Sequence, residues 1–220
     1  MKNQNIYNSF SFNHAYKKKL ISFLKENTTI ETGGYKIFDG TYNHLLQIPE
    51  ELAELIIILK KYNEKSKINK FLEIGYSHGN TNTILNKFFN FSLIVGVDTF
   101  GAHINASTLH PNIRFKNLIL VCGDTKTKFI HDNLKLFKNF DLILIDADHE
   151  YNSVKNDFEL ALKLSHKKTL LLLHDINLKN SGSKKMWDEI KSGKKFITKE
   201  IIHKNSNLTY SYGIGLVVFK

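Results

Sequence analysis

Short apolar runs alternate with longer amphipathic segments from residue 70 to the end of the chain. The runs are near-continuous blocks of Leu, Ile, Val and Phe without a period of two, which is typical of strands buried on both faces of a parallel sheet. Five such strands are predicted, at residues 71–75, 93–98, 118–122, 142–146 and 170–173. The tail holds two further strand candidates, at residues 197–203 and 214–219.

Helices are predicted where apolar residues recur at helical spacing. Residues 49–62 are the clearest case, because Pro49 suits the first helical position and leucines and isoleucines recur every three or four residues. A shorter helix is predicted at 14–27, and crossover helices are predicted at 81–90 and 151–164. Strands that alternate with such helices predict an α/β fold with a doubly wound sheet.

The size and composition are those of an ordinary globular protein, with 220 residues, 42% apolar and 24% charged. We interpret residues 1–48 as a helical N-terminal extension, a cap or part of the substrate side, and residues 49–220 as one domain. No run of 18 apolar residues exists, so no membrane span is expected. The first twelve residues lack the apolar core of a signal peptide, which makes the cytoplasm the expected location. The single cysteine, Cys122, excludes an intrachain disulfide and is predicted to be a buried thiol.

The net charge of +10 is the feature that favours a nucleic-acid partner, because basic proteins attract phosphates. The lysines are nevertheless scattered as pairs and triples, without the interleaved aromatic residues of a single-strand binding groove. A small-molecule substrate is therefore favoured over nucleic acid, and assembly into a homo-oligomer is left open.

Acidic residues follow four successive predicted strands. They are Asp98, Asp124, Asp146 (with Asp148 two residues later) and Asp175. Because the carboxyl ends of parallel strands share one edge of the sheet, these side chains are expected to border a ligand crevice. Asp98, one β-α unit after Glu73, stands where a carboxylate can accept hydrogen bonds from the hydroxyls of a ribose.

The first predicted strand leads into Gly75-Tyr76-Ser77-His78-Gly79, a literal G-x-S-x-G. Such a loop can hold a nucleophilic serine on a strained strand-to-helix turn. It can equally bring glycine backbone close to a small ligand, with Ser77 giving only a hydrogen bond. The loop is not G-x-G-x-x-G, which disfavours a dinucleotide cofactor.

Several motifs in order carry a family resemblance. The segment F-L-E-I-G-Y-S-H-G, followed by V-G-V-D and V-C-G-D, resembles class I methyltransferases that use S-adenosyl-L-methionine (SAM). The later pieces L-I-D-A-D-H-E-Y-N-S-V-K, L-L-L-L-H-D-I and Y-G-I-G-L-V-V-F look like the small-molecule O-methyltransferases. These include the catechol and caffeoyl-CoA type and the antibiotic-sugar methyltransferase and cephalosporin-hydroxylase-like subgroup. The resemblance covers roughly residues 40–220.

This resemblance implies a Rossmann-like, mostly parallel seven-stranded sheet with an antiparallel C-terminal strand and helices on both faces. It also implies transfer of a methyl group from SAM to a hydroxyl of a small molecule, for which a sugar or polyol is the acceptor class expected. The cofactor-binding positions that it implies are Glu73, Gly75, Ser77 and Gly79 near the methionine part, Asp98 at the ribose, Gly123 and Asp124 at the adenine, and Asp146 facing the methyl group.

The same resemblance implies the catalytic and metal positions. Asp146 and His149 are the expected catalytic residues, with His149 as the base, because a histidine side chain titrates near neutral pH. In metal-dependent members Asp146 and Asp175 would hold Mg²⁺, which would lower the pKa of the acceptor hydroxyl. Metal-dependent members tend to carry Asp-Asn or Glu-Asp after the fifth strand, whereas this chain has His174-Asp175-Ile176. Asp175 therefore matches the pattern, and the second residue of the pair does not. The favoured interpretation of His174 is a structural one. If a metal is bound, His174 or Asn177 is the residue that could replace the missing ligand.

Three alternatives accompany this hypothesis. A serine hydrolase would use Ser77, with Asp146 or Asp148 and then His174 or His203 in chain order. No oxyanion segment precedes Ser77, however, and the repeated acids would stay unexplained. A non-catalytic protein with the same fold is the second alternative. An RNA methyltransferase is the third, motivated by the charge and disfavoured by Asp146-Ala147-Asp148-His149, where an amine-methylating motif would stand.

Overall fold

A computed structural model describes residues 14–38, 44–101, 116–203 and 212–220 of the chain. The predicted extension of residues 1–48 is therefore described only in part. Within it, one helix (α1, His14–Lys25) packs against the next (α2, Pro49–Lys65) through the ion pairs Lys17–Glu54 at 3.3 Å and Lys25–Glu50 at 2.8 Å. The division into an extension and a domain stays a prediction.

One seven-stranded sheet forms the centre of the molecule. Its strands are β1 (Lys70–Ile74), β2 (Leu93–Asp98), β3 (Leu118–Cys122), β4 (Phe140–Ile145), β5 (Ser165–His174), β6 (Phe196–Ile201) and β7 (Ile214–Phe219). Their spatial order is β3-β2-β1-β4-β5-β7-β6. The first five strands pair in parallel, and β7 runs antiparallel to both β5 and β6. The predicted Rossmann-like, doubly wound fold is confirmed.

Four further α-helices lie in the described residues: α3 (Asn80–Phe89), α4 (Lys128–Leu134), α5 (Tyr151–Leu164) and α6 (Gly182–Ser192). The sequence predicted α3 and α5 but neither α4 nor α6. Helix α6 begins where the Ser181 side chain accepts a hydrogen bond from the Lys184 N–H at 3.1 Å, and it buries Trp187 against the sheet. Of the helices in the described ranges, none combines the length and the apolar character that a membrane crossing requires.

The core has two layers, one on each face of the sheet. On one face, Phe71, Leu142 and Leu170 pack with residues of α2 and α3. Their chain neighbours Leu72, Ile143 and Leu171 point to the other face, toward α5 and α6. Both faces of the central strands are therefore buried, which is why those strands read as unbroken apolar blocks.

The prediction of a buried Cys122 is wrong, because its side chain is exposed. Strand β3 lies at the edge of the sheet and pairs only with β2, so its side chains are covered less completely than those of the central strands. The apolar run around Cys122 reflects strand propensity rather than full burial.

Candidate functional site

A cavity of about 680 Å³ lies at the edge of the sheet where the parallel strands end. All ten predicted site residues line it: Glu73, Gly75, Ser77, Gly79, Asp98, Gly123, Asp124, Asp146, His149 and Asp175. The topology explains this convergence, because the loops that follow adjacent parallel strands meet at one edge. The cavity is large enough for a small organic cofactor.

The glycine loop is held tightly against the neighbouring strands. The N–H groups of Gly75 and Tyr76 both donate to the carbonyl of Val97, at 2.9 and 3.1 Å. Gly75 has a φ of 90°, and a Cβ atom there would lie 2.0 Å from the carbonyl oxygen of Asp146. Gly79 has a φ of 70° and directly precedes α3. Backbone can therefore approach a ligand closely at both glycines, which suits a cradle.

Ser77 is part of this cradle and is tied to Asp98. Its N–H donates to Asp98 Oδ2 at 2.7 Å, while Asp98 Oδ1 accepts the N–H of Phe100 at 2.7 Å. The two bonds fix the orientation of the carboxylate at the end of β2. Ser77 Oγ lies 3.0 Å from Nδ1 of the adjacent His78.

The histidines that a serine hydrolase would need have other partners. His174 lies against Asp146 and Asp175, and His203 Nε2 lies 3.2 Å from Glu54 Oε2. These contacts do not support a triad built on Ser77. The hydrolase alternative therefore loses the geometric relay on which it depends.

Glu73 is an acid buried at the base of the cavity. It is 2% exposed, and its Oε2 has no hydrogen-bond partner among the described residues. Burial raises the pKa of Glu73 well above its usual range, and the nearby charges of Asp146 and Asp98 raise it further. The fold thus favours the protonated form of this carboxyl.

We expect Glu73→Gln to stabilise the protein increasingly as the pH rises. The folded-state pKa is raised, so the stability that Glu73 contributes is fully present below its unfolded pKa and is lost as the pH rises through the folded pKa. Raising a pKa by one corresponds to about 1.4 kcal/mol of folding free energy, and the amide cannot ionise. Thermal unfolding of both proteins between pH 4 and 9 measures the difference. Glu64→Gln, at an exposed position of α2, is the control, and parallel pH profiles for Glu73→Gln and the natural chain would contradict the expectation.

A second cluster, here called the acid–histidine cluster, consists of Asp146, His174 and Asp175. His174 Nδ1 lies 3.1 Å from Asp146 Oδ1 and 3.2 Å from Asp175 Oδ1. Burial lowers the pKa of His174, but the two carboxylates outweigh burial and hold it well above its usual range. For Asp175 burial raises the pKa, and the charges of His174 and His149 outweigh that and lower it.

Two outer residues contact the carboxylates of the acid–histidine cluster. Gln47 donates from Nε2 to Asp146 Oδ2 at 2.9 Å, and His149 Nδ1 lies 3.2 Å from Asp175 Oδ2. The backbone of His149 is held in turn by the first residue of α6, because Gly182 N–H donates to the His149 carbonyl at 2.6 Å. The helix that the sequence did not predict therefore positions the predicted base.

On the other side of the cavity, Gly123 and Asp124 follow β3 as predicted. Gly123 N–H donates to the carbonyl of Asp98 at 2.9 Å, and Asp124 Oδ1 accepts the N–H of Lys126 at 2.8 Å. The Thr125 hydroxyl donates to the buried Asp157 at 2.5 Å. This wall is polar and fixed by hydrogen bonds.

Three lining residues were missed or underrated by the sequence analysis. Gln47 and Asp157 were given no role, and His174 was interpreted as structural. Gln47 stands two residues before Pro49, where the clearest predicted helix begins, and no local pattern there indicates its contact with Asp146. Asp157 stands at an ordinary helical position, and no sequence signal marks it.

Comparison with known proteins agrees with this geometry. Residues 72–176 match the family model of a methyltransferase domain. Among curated proteins, none matches the sequence. The resemblance to class I methyltransferases is confirmed, because the matched segment includes the glycine loop and the four acids at the strand ends.

Solved structures share the fold. An O-methyltransferase from Bacillus cereus in complex with SAH (S-adenosylhomocysteine) is 17% identical. Its TM-score is 0.57, over 100% of this chain and 97% of that one. The O-methyltransferase TomG from Streptomyces achromogenes, in complex with SAM, is 16% identical, with a TM-score of 0.58 over 91% and 90%. Spermidine synthase from Thermotoga maritima is 14% identical, with a TM-score of 0.53 over 69% and 53%. Since one fold serves differently named enzymes, the reaction must be argued from the site.

Proposed function

We propose that the chain binds SAM in this cavity and transfers its methyl group to a hydroxyl of a small molecule. The observation that carries the proposal is the convergence of the ten predicted residues on one cavity beside a glycine loop. The cavity fits the cofactor, because the loop backbone can approach it and the fixed Asp98 carboxylate can accept ribose hydroxyls. The unpartnered Oε2 of buried Glu73 offers a hydrogen-bonding atom to the methionine part of SAM.

SAM supplies a methyl group that is already activated, so the chain has to position the acceptor and remove its proton. Asp146 and His149 border the cavity and can accept that proton. Asp175 Oδ2 lies 3.2 Å from His149 Nδ1 and orients the imidazole. Gln47 holds the Asp146 carboxylate in place through its second oxygen.

A divalent cation at Asp146 and Asp175 belongs to the same proposal. Two carboxylates facing one point fit a divalent cation, which would lower the pKa of a hydroxyl bound beside it. Mg²⁺ is the ion that the family resemblance implies. A sugar or polyol acceptor, a cytoplasmic location and assembly into a homo-oligomer stay predictions. So does the exclusion of nucleic acid.

Calorimetric titration with SAM and with SAH tests the cofactor. We expect saturable binding of both, and a screen of hydroxylated small molecules for SAH release then identifies the acceptor. Absence of heat at millimolar SAM, with protein shown to be folded, would overturn the proposed function. Binding without release of SAH from any acceptor class would favour the non-catalytic alternative.

We expect Asp98→Ala to weaken SAM binding by at least about tenfold, because hydrogen bonds to a charged group contribute roughly 1.5–3 kcal/mol each. The variant also removes the acceptor of the Ser77 and Phe100 N–H groups, so the loop loses its anchor. Titration of SAM into the variant measures the change. Asp188→Ala, at an exposed position of α6, is the control, and natural affinity in Asp98→Ala would remove Asp98 from the proposed site.

A further inference from the structure

Three potential ligand atoms converge in the acid–histidine cluster. Asp146, His174 and Asp175 each offer one atom, and these atoms lie within 4.8 Å of one another. Two ligands of one ion, each about 2.0–2.2 Å from it, lie roughly 2.9–3.5 Å apart in tetrahedral or octahedral geometry. The observed distances from His174 Nδ1 to the two carboxylate oxygens, 3.1 and 3.2 Å, fall in that range.

No well-aligned hydrogen bond joins His174 to the two carboxylates. Although both distances would allow a hydrogen bond, neither oxygen meets its geometry relative to the His174 ring. His174 Nδ1, His174 Nε2 and Asp175 Oδ1 are buried and have no hydrogen-bond partner among the described residues. Both residues are only 4% exposed. Buried polar atoms are normally paired, so two that lie together with the Asp146 carboxylate beside them indicate a shared cation.

The outer contacts hold each group with its ligand atom turned inward. Gln47 engages Asp146 through Oδ2, and His149 lies against Asp175 through Oδ2, so both Oδ1 atoms face the His174 ring. The ring of Tyr212 lies nearly parallel to that of His174, with the ring centroids 6.0 Å apart and an angle of 18° between the planes. Contacts of this kind orient the ligands of a metal ion and tune its affinity.

The nitrogen donor decides which ion fits. Mg²⁺ prefers an all-oxygen set of ligands, whereas imidazole suits later divalent transition metals. We infer that Asp146, His174 and Asp175 bind a divalent ion of the Fe²⁺, Co²⁺ or Zn²⁺ class in place of Mg²⁺. Nδ1 is the ligand atom, so binding of the ion releases the proton that the two carboxylates favour on the His174 ring. The inference deepens the proposed function, since the ion would lie beside the proposed acid and base.

Metal titration of the full chain tests this without cofactor or acceptor. We expect Co²⁺ to bind at least about tenfold more tightly than Mg²⁺ and to give the visible absorption of a nitrogen-ligated ion. His174→Asn should lower Co²⁺ affinity by at least about tenfold and leave Mg²⁺ affinity within about threefold. Calorimetry and absorption spectroscopy measure both effects.

The matched control is His166→Asn. His166 Nε2 lies 3.0 Å from Asp141 Oδ1, which makes a similar pair on the same two strands, outside the cavity lining. This variant should bind Co²⁺ as the natural chain does. Equal affinities of the natural chain for Co²⁺ and Mg²⁺ would overturn the inference, and this comparison needs no variant. Unchanged Co²⁺ binding in a folded His174→Asn protein would also overturn it, and would favour a protonated His174 that bridges the two carboxylates.

The outcome is separable from that of the proposed function. Co²⁺ binding through His174, with no binding of SAM, would support the ion site and overturn the methyltransferase proposal. SAM binding with no preference for Co²⁺ over Mg²⁺ would support the methyltransferase proposal and overturn the ion site.

Discussion

Asp146→Asn should lower methyl transfer by about 100-fold or more, because the amide can neither accept the acceptor's proton nor hold a cation as strongly. The change is nearly isosteric, and SAM affinity should fall much less than turnover. Release of SAH, measured with an acceptor found by screening, gives the turnover. Calorimetry gives the SAM affinity of the same preparation.

Asp141→Asn is the matched control for that experiment. Asp141 lies near the other end of β4, where Oδ2 accepts the N–H groups of Asn69 and Lys70, each at 2.9 Å. Its replacement should reduce stability and leave turnover per folded molecule unchanged. Full turnover in Asp146→Asn would show that the chemistry takes place elsewhere in the cavity.

Gly75→Ala should destabilise the fold by about 2–5 kcal/mol and abolish measurable SAM binding. A Cβ atom would lie 2.0 Å from the carbonyl oxygen of Asp146, and the φ of 90° disfavours any L side chain. The opposing atom is the carbonyl oxygen of Asp146, the residue that directly follows β4. Because it is a backbone atom, it cannot rotate away as a side chain would. Denaturant unfolding and SAM titration measure the two effects.

Gly101→Ala provides the comparison, since among the described residues a Cβ there would meet Thr99 Oγ1 alone, at 3.7 Å, which is an ordinary contact. That variant should keep natural stability and SAM affinity. If Gly75→Ala matched it in both measurements, the glycine loop could move away from β4, and its role as a rigid cradle would be wrong.

The strands were predictable because burial on both faces leaves an unbroken apolar pattern. Strand β5 is instructive, since it begins at Ser165, five residues before the predicted start at residue 170. Its first part, Ser-His-Lys-Lys-Thr, carries no apolar block, and its pairing with β4 is irregular there. Helix α6 was missed because seven of its eleven residues are polar or charged, although Met186, Trp187 and Ile190 follow helical spacing.

The candidate site was predictable to the extent that it follows strand ends. Asp98, Asp146 and Asp175 could be placed together from topology alone, since the carboxyl ends of parallel strands lie at one edge of the sheet. Gln47 reaches Asp146 from a segment 99 residues earlier, and no local pattern encodes that contact. The orientation of the His174 ring likewise depends on tertiary packing, so the sequence could name the residue without giving its role.

The close approach of Gly75 to the Asp146 carbonyl has a thermodynamic consequence. The Asp146 N–H donates to the carbonyl of Ile74 at 2.8 Å, so the backbone of the cofactor loop is joined directly to the backbone of the proposed metal ligand. A ligand that displaces the loop must displace Asp146 as well. We therefore expect SAM and the cation to change each other's affinity by the same factor, as reciprocal linkage requires for two sites on one protein.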